Sequence, residues 1–422
     1  MDLLRREVPS SALVVAVDPG KAFNRVWLTS GERGLIGDPV SLPVLREGVD
    51  ELERLIIASG VTGAPVIGLE ASGALHRAWA TELERRWPGS LRLFAPSETT
   101  AARAQLGSRR FKTDDRDCAA LVWLVRQGAG RPAEPQVVEA LRGTVAHRRQ
   151  LVDARRVLQQ RLHDQLNALC PGLSAPAGHG RALELASPTG QAVLACAAAF
   201  AGRAPSKRSL LARAPGRTTD ATATFWAGRW KRLLDPPPDA GLRAARLGRD
   251  LGRWQALRDD IALADAQLSA LLAQSAGQIL TTLPGVAAVR AAAFSAYTLP
   301  IERWPTAEHL YSATGLAPAS YQSSTVTRRG RISRQGLPEH RDALMGIAWG
   351  LSQNSDAFRA RHRTPRPRLP PDPGPRRARP QRLPTVLATP SLPTALRRSA
   401  LRSRQAARAV TALTAMPHDG AT

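Results

Sequence analysis

Acidic residues in the N-terminal part of the chain have the types and spacing that suit metal-assisted chemistry on phosphates. Asp18 ends the strand-like run VVAVDPG, and Glu70 ends a second such run, VIGLEASG. Asp114 and Asp117 lie in KTDDRDCAAL, where a spacing of three places both on one face of a helix. Strand-end carboxylates of an α/β sheet meet at the edge where ligands bind. They repel one another unless cations lie between them, so the pattern indicates a site for Mg²⁺ or Mn²⁺ that supports phosphoryl transfer.

Each acid also has an ordinary structural interpretation. Asp18 suits a turn before Pro-Gly, Glu70 suits a cap of the next helix, and Asp114 suits an N-cap. Asp115 and Asp117 would complement the helix dipole. The combination is more specific than its members, because the order strand Asp, strand Glu, helix Asp is that of RNase H-like metal nucleases.

A second segment, GLAPASYQSSTVTRRGRISRQGLPEHRDAL, combines hydroxyl groups with guanidinium groups. A serine hydroxyl is a poor nucleophile at neutral pH unless a base or a metal activates it. Attack on phosphorus builds negative charge on oxygen, which arginine clamps in a bidentate manner. The arginines of this segment are Arg328, Arg329, Arg331, Arg334 and Arg341. From the residues alone, SST is equally a polar turn and RRGRISR a solvated hairpin, and His309 and His340 are more often structural than catalytic.

The elements that must position these residues follow from hydrophobic periodicity. Strand-like runs such as FNRVWLTS alternate with amphipathic helices such as VLREGVDELERLIIAS near the N-terminus, which indicates an α/β layer structure. Two long helices are expected at 133–170 and 240–280, with short helices between them that place Trp226 and Trp230 on one face. The predicted domains are an α/β domain at 11–130, a helical and coiled-coil region at 133–280, a small, mostly helical domain at 281–358 and a basic tail at 359–422.

The charge balance points to a polyanionic partner. The chain has 59 Lys and Arg against 35 Asp and Glu, a net charge of +24. Residues 359–422 contribute 14 Arg, 2 Asp and 11 Pro, so the tail is expected to be disordered and the first 358 residues keep a net +12. The body of the protein is therefore basic in its own right, which favours nucleic acid.

Two classes of protein are excluded by composition. The longest apolar run, 192–201, is half the length that a membrane-spanning helix needs, about 20 residues. The three cysteines are scattered and form no CxxC pair, so a disulfide scaffold or a zinc knuckle is not expected. A reducing, cytoplasmic setting is the default expectation.

Several motifs together resemble the insertion-sequence one-ten family of DEDD transposases. These motifs are AVDPGK, GLEASGALH, LGSRRFKTDDRDCAAL, LPGV and GLAPASYQSS, and the similarity extends over about residues 13–350. The four acidic positions of the family fall on Asp18, Glu70, Asp114 and Asp117. Cys118 replaces the usual Ala after the last acid. The family's nucleophilic serine corresponds by spacing to Ser323, and Ser324 stands where Gly is usual, so the neighbouring hydroxyl remains an alternative.

The resemblance implies a fold, a mechanism and a set of partners. It implies an RNase H-like (RuvC-like) N-terminal domain, a serine-bearing C-terminal transposase domain, and cutting and rejoining of DNA through a phosphoserine intermediate. It also implies Mg²⁺ (or Mn²⁺), DNA at the element ends and the target, a non-coding bridge RNA as guide, homodimers or homotetramers, and a bacterial, nucleoid-associated location. We assign nucleic-acid binding to Arg109, Arg110, Lys112, Arg328, Arg329, Arg331, Arg334 and Arg341.

Alternative functions remain open at this stage. One is a metal-dependent nuclease of the Holliday-junction type, and another is an inactive nucleic-acid-binding remnant of a transposase. The family usually ends in an amphipathic helix, whereas this chain turns abruptly to PRPRLPPDPGPRRARP. We hypothesise that a frameshift near residue 359 replaced the ending and impaired this copy; the competing interpretation is a disordered basic arm for DNA or RNA.

Overall fold

The computed structural model describes residues 8–107, 112–174, 182–323 and 326–363. For residues 320–323, 326–331 and 361–363 it describes the backbone alone. The chain divides into two compact units, Met1–Pro135 and Gln136–Thr422. The finer division of the second unit at residue 280 stays a prediction.

The first unit is built on one mixed sheet. Its described elements are β1 Val14–Asp18, β2 Phe23–Ser30, β3 Gly34–Leu35, β4 Val40–Pro43, α1 Arg46–Ala58, β5 Val66–Glu70, α2 Arg77–Arg86, β6 Leu91–Phe94, α3 Pro96–Gln105, α4 Asp114–Arg126 and β7 Arg131–Pro132. The strand order is β3-β2-β1-β5-β6-β7, and β4 also pairs with β2. Strands β1, β5 and β6 are parallel, whereas β2 is antiparallel to β1.

Both faces of this sheet are buried, because alternate residues of the central strands pack against different helices. Val15 and Val17 of β1 face the core that α1 and α2 share. Val14 and Ala16 face the opposite core, to which α4 contributes Leu121. A Cβ atom at Gly68 of β5 would lie 2.7 Å from Val125 Cγ2, so glycine at this position lets α4 approach the sheet. The expectation of a mixed α/β domain is confirmed.

The second unit is mainly helical. Its described elements are α5 Gln136–Leu169, α6 Pro188–Ala199, α7 Lys207–Arg213, α8 Asp220–Trp230, α9 Ala240–Ala273, α10 Ala288–Thr298, α11 Ala307–Ala313, β8 Pro318–Ser323, β9 Val326–Ile332, α12 Pro338–Asn354 and α13 Asp356–Arg363, with short 3-10 helices at Ala276–Thr282 and Ile301–Arg303. The helices α5 and α9, of 34 residues each, pack along each other.

Two separate cores hold the long helix pair. At one end Leu166 of α5 and Trp254 of α9 pack with α6, α7 and α8, and Trp226 and Trp230 are both buried there, as their spacing predicts. At the other end Leu141 and Leu268 pack with α10 and α12. Within the described ranges, no helix has the combination of length and apolar character needed to cross a membrane. The basic tail lies outside the described residues, apart from its first few positions.

Candidate active site

Asp18 is the last residue of β1, and a tight turn fixes its position. The backbone N–H of Gly20 donates to Asn24 Oδ1 at 3.0 Å, and Asn24 is buried. A Cβ atom at Gly20 would lie 2.1 Å from the carbonyl oxygen of Phe23, so only glycine allows this approach. Asp18 lies opposite Arg25 in the antiparallel register, which places both side chains on the face of the sheet that α4 covers.

Glu70 ends the neighbouring parallel strand. The last paired residues of β1 and β5 are Val17 and Leu69, so Asp18 and Glu70 follow at the same edge of the sheet. Glu70 is 9% exposed, and Ser72 Oγ donates a hydrogen bond to its Oε1 atom. The parallel pairing of β1 and β5 thus brings these two carboxylates to one sheet edge, as expected for strand-end acids of an α/β sheet.

The other two acids lie in the first turn of α4. Thr113 is the N-cap of this helix, and its side chain accepts a hydrogen bond from the N–H of Arg116 at 3.3 Å. Asp114 is the first helical residue and is exposed, so the alternative interpretation of Asp114 as the N-cap is wrong. Asp117, one turn further along, is only 2% exposed.

The electrostatics show that these acids act on one another. Burial, followed by the negative charges of Glu70, Asp117 and Asp114, raises the pKa of Asp18 from 3.8 to about 7, and the positive charge of Lys112 partly opposes the shift. We call Asp18, Glu70, Asp114 and Asp117 the acid cluster. Burial is the largest cause, and the contributions of the other three acids show that they lie near Asp18.

Basic side chains of the first unit already contact part of this region. A guanidinium nitrogen of Arg103, on α3, forms an ion pair with Asp117 Oδ1, and both side chains are largely buried, at 11% and 3% exposure. Lys112 Nζ is 4.0 Å from Asp117 Oδ2. No sequence signal identifies Arg103, because its pairing depends on how α3 packs against α4.

Asp115 has a different role from its neighbours. Its Oδ1 atom accepts from Arg25 Nε at 2.6 Å and from Trp27 Nε1 at 3.2 Å. The hydrogen bond from Arg25 lowers the pKa of Asp115, and these contacts tie the start of α4 to β2. Asp115 is not among the predicted metal ligands, and its contacts with Arg25 and Trp27 agree with this prediction.

The donor chemistry of the acid cluster fits a hard divalent cation. Carboxylate oxygens are the ligands that Mg²⁺ and Mn²⁺ prefer, and burial together with the negative charges of the neighbouring acids, which raises the pKa of Asp18, is an environment that a divalent cation would stabilise. Within the residues that the structure describes, no group of three or more His, Cys, Asp or Glu is arranged in a metal-holding geometry. Arg103 occupies one oxygen of Asp117, so a cation would have to displace it there.

The serine segment of the second unit forms a hairpin of β8 and β9. Ser323 is the last residue of β8, and its backbone is opposite Val326. Ser324 lies outside the described residues, and so do Arg109 and Arg110 of the first unit. For Ser323 and for Arg328, Arg329 and Arg331 of β9, only the backbone is described.

The base of the hairpin is held by tight backbone packing. The N–H of Arg334 donates to the carbonyl oxygen of Gly315 at 2.9 Å, and a Cβ atom at Gly336 would lie 2.1 Å from the carbonyl oxygen of Ala313. Arg341 Nε donates to the Thr314 carbonyl at 3.1 Å, and its Nη2 donates to the Arg334 carbonyl at 3.2 Å. Arg341 therefore positions the hairpin, whereas the Arg334 side chain is exposed.

Two histidines in this part of the chain have structural surroundings. His340 is 2% exposed, and its Nε2 atom is 3.0 Å from Thr298 Oγ1. Burial and the positive charge of Arg303 lower its pKa from 6.5 to about 4. His309 contacts the Oγ1 atom of Thr306, the N-cap of α11, through Nδ1 at 2.9 Å. Both observations agree with the structural interpretation of these residues.

Comparison with known proteins assigns the serine-bearing region to the transposases. Residues 277–363 match the family model described as Transposase IS116/IS110/IS902 family, and the matched segment includes α10, the hairpin and α12. The resemblance to the insertion-sequence one-ten family is thereby confirmed, and the family implies that the protein binds DNA. A search of curated proteins finds no significant match.

Proposed function

We propose that this transposase cuts and rejoins DNA with the acid cluster of its first unit and the hydroxyl of Ser323. The observation that carries the proposal is that Asp18 and Glu70 end neighbouring parallel strands at one sheet edge, where burial and the charges of Glu70, Asp117 and Asp114 raise the pKa of Asp18 to about 7. A chain gains nothing in stability from collecting like charges at a sheet edge, so the cluster favours a function that uses them.

The topology of the first unit supports an RNase H-like, RuvC-like fold. The central strand β1 has antiparallel β2 on one side and parallel β5 and β6 on the other. Helix α4 lies against β1 and brings its first turn to the sheet edge where β1 and β5 end. This arrangement agrees with the acid order read from the sequence.

The acid cluster would hold Mg²⁺ or Mn²⁺. When bound, such ions lower the pKa of an attacking hydroxyl and stabilise negative charge on the phosphate oxygens. The chain's own contribution is to orient the carboxylates: Ser72 holds Glu70, and Asp115 anchors the start of α4 through Arg25. Asp114 is exposed at that helix start and is the member of the cluster most open to an arriving phosphate.

Ser323 would supply the nucleophile. Its Oγ atom forms a bond to phosphorus as the bond from phosphorus to a DNA sugar oxygen breaks, and the serine proton passes to the leaving oxygen through solvent or a neighbouring base. The phosphodiester energy is kept in the phosphoserine link, so a second DNA hydroxyl can reverse the step without ATP. Arg334 is exposed close to the hairpin base, where its guanidinium group can meet a phosphate oxygen.

The same proposal includes a guide RNA and an assembly of two or four copies in the bacterial cytoplasm. The net charge of +12 over the first 358 residues supports binding to nucleic-acid backbones. The long helices α5 and α9 offer extended surfaces for assembly. The family resemblance supports the RNA and the oligomer.

Strand cleavage on a denaturing gel tests the proposal. The chain is incubated with labelled element-end DNA, Mg²⁺ and the flanking transcript, and a DNA-linked protein band is expected. Asp18→Asn and Ser323→Ala should each abolish the band. Cleavage that persists in Ser323→Ala without any linked protein would favour a metal-only nuclease built on the first unit. A DNA-linked protein band formed by the Asp18→Asn variant would show that the reaction does not need the acid cluster.

A further inference from the structure

A strongly basic module lies between the two long helices. Residues 200–235, which include α7 and α8, contain eight Lys and Arg but only two Asp and no Glu. Most of these basic side chains are exposed. This density of charge belongs neither to the acid cluster nor to the serine hairpin, and the proposed function, which uses the positive charge of the whole body, assigns no ligand to this module.

The module differs from the helix pair that carries it. On α5 and α9 many arginines are matched with acids, as in Arg148–Asp265, Arg161–Asp250 and Arg243–Asp239. In the module, Lys207 pairs with Asp220. Within the described part of the chain, the following have no carboxylate partner: Arg203, Arg208, Arg213, Arg217, Lys231 and Arg232.

One of these cations lies over an aromatic ring, and hydrogen bonds bring Arg203 and the end of α8 to the same part of the chain. The guanidinium of Arg213 lies 5.1 Å from the centroid of the Phe200 ring, and Phe200 is 36% exposed. Phe200 and Arg203 form one turn, because the N–H of Arg203 donates to the Phe200 carbonyl at 3.0 Å. Trp230 Nε1 donates to the Gly202 carbonyl at 2.8 Å, which brings the end of α8 to the same turn. We call Phe200, Arg203, Arg213, Lys231 and Arg232 the Phe200 patch.

The backbone of the Phe200 patch is anchored to a buried core. Trp230 is 2% exposed and belongs to the core that α5, α6 and α9 share. Gly202 has a φ of +80°, and a Cβ atom there would lie 3.1 Å from Leu169 side-chain atoms, so the turn fits closely against the end of α5. The backbone that carries these cations is therefore already in place before a ligand binds, which reduces the entropy lost on binding.

We propose that the Phe200 patch binds a single strand of nucleic acid. The unmatched guanidinium and ammonium groups contact phosphates, and an unpaired base stacks on the exposed face of Phe200 beside Arg213. A second copy of the chain is a poor occupant, because it would bring the same positive charge to the interface. RNA and DNA strands share the required chemistry, namely phosphates and accessible bases, whereas a duplex hides its base faces.

Ultraviolet cross-linking at zero distance tests the stacking. The full chain is irradiated in EDTA with mixed-sequence 20-nucleotide strands of RNA or DNA, or with duplex DNA, and adducts are mapped after trypsin digestion. We expect adducts with one or both single strands on the peptide 182–203, which contains Phe200. The duplex should give none there, and the relative yields of the RNA and DNA arms identify which strand the patch favours. Absence of this adduct with both single strands would overturn the proposal.

Two variants provide the controls. Phe200→Leu keeps the apolar packing and should lose the adduct, with single-strand affinity falling about tenfold by fluorescence anisotropy. Replacing Arg397, Arg398, Arg402 and Arg404 with Gln removes four charges from the tail and should leave the adduct in place. An adduct that persists on this peptide in Phe200→Leu would contradict the stacking.

Salt dependence tests the phosphate contacts. Substituting Arg203, Arg213, Lys231 and Arg232 with Gln should reduce the slope of log affinity against log salt by about 0.7 per lost contact on a single strand. Because these side chains are exposed, far-ultraviolet circular dichroism should remain unchanged; if the fourfold variant fails to fold, Arg203→Gln and Arg232→Gln alone report smaller slopes. An unchanged slope in folded variants would refute the proposal. Asp18→Asn should bind strands normally, which separates this test from that of the proposed function.

Discussion

The acid cluster of the first unit and the Phe200 patch of the second differ in whether their charged groups have oppositely charged partners within the chain. In the first unit, Arg103 pairs with buried Asp117, and Arg25 pairs with Asp115 beside the cluster. In the patch, Arg203 and Arg232 have no carboxylate partner among the described residues. The acids are therefore partly neutralised by the chain's own arginines, so the site can fold without an external ion. The patch instead leaves its charge for an external polyanion.

The largest expected effect comes from removing the charge of Asp18. Asp18→Asn should slow strand transfer at least about a thousandfold, or ~4 kcal/mol of activation free energy, because the amide cannot carry the charge that the reaction uses. The melting temperature should stay unchanged or rise, since the change relieves repulsion from Glu70 and Asp117. Single-turnover kinetics measure the rate. The matched control is Asp38→Asn, at an exposed position, and activity of Asp18→Asn close to that of this control would contradict the prediction.

Loss of the ion pair between Arg103 and Asp117 should mainly affect the stability of the first unit. Arg103→Met leaves the buried carboxylate of Asp117 without its partner, which should lower the free energy of unfolding by about 3 kcal/mol in EDTA. Urea titration measures the loss, and saturating Mg²⁺ should recover part of it. Arg85→Met breaks an exposed pair with Glu82 and should cost much less than the loss of the buried pair. Equal losses of unfolding free energy in the two variants would show that Arg103 stabilises the fold no more than an exposed ion pair does.

The two units should respond to pH with opposite signs. Asp18 has a folded pKa of about 7 against an ordinary 3.8, so the metal-free first unit gains stability as pH falls from 7 toward 4. His340 has a folded pKa of about 4 against 6.5, so the second unit loses stability over pH 6.5 to 4, by at most about 3 kcal/mol.

Hydrogen exchange in EDTA, corrected for intrinsic rates and resolved by peptide, separates these two responses. Between pH 7 and 5, protection of β1 and α4 should increase while protection of α10 and α12 decreases. Asp18→Asn should flatten the first trend and His340→Asn the second. Parallel changes in both units would show that neither group controls the pH dependence.

The smallest predicted effect concerns the hairpin base. Arg341→Lys cannot reach both the Thr314 and Arg334 carbonyls, so local protection of β8 and β9 should fall by about 1 kcal/mol. Hydrogen exchange of the hairpin peptides measures it. Arg334→Lys changes an exposed side chain and should leave protection unaltered. If both variants behave alike, Arg341 does not position the hairpin.

Much of the fold could be predicted from the sequence where periodicity is strong. FNRVWLTS forms β2 at Phe23–Ser30, and the two long helices form where three-and-four spacing predicts them. The second long helix ends at Ala273 rather than near 280, because Gly277 packs against Ser295 and the chain continues as a 3-10 helix. Gly330 lies within β9, next to an irregularity in the strand register.

The partners of the acid cluster could not be predicted in the same way. Arg103 and Asp117 belong to different helices, and Arg25 and Asp115 are 90 positions apart, so their pairing depends on tertiary packing. Thr113 takes the N-cap that Asp114 could also have filled, because the two differ only by a one-residue shift of the helix start. Types and spacing indicate which acids meet, whereas packing decides which cations neutralise them.

Calorimetric titration with Mn²⁺ tests the central claim, that these acids form one divalent-cation site, most directly. The full chain should bind Mn²⁺, and Asp18→Asn and Glu70→Gln should each weaken binding at least about tenfold, since each removes one ligand charge. Asp38→Asn, with the same loss of charge at an exposed position, should bind as tightly as the unsubstituted chain. Equal affinity in all four proteins, or no binding by the unsubstituted chain, would contradict the account.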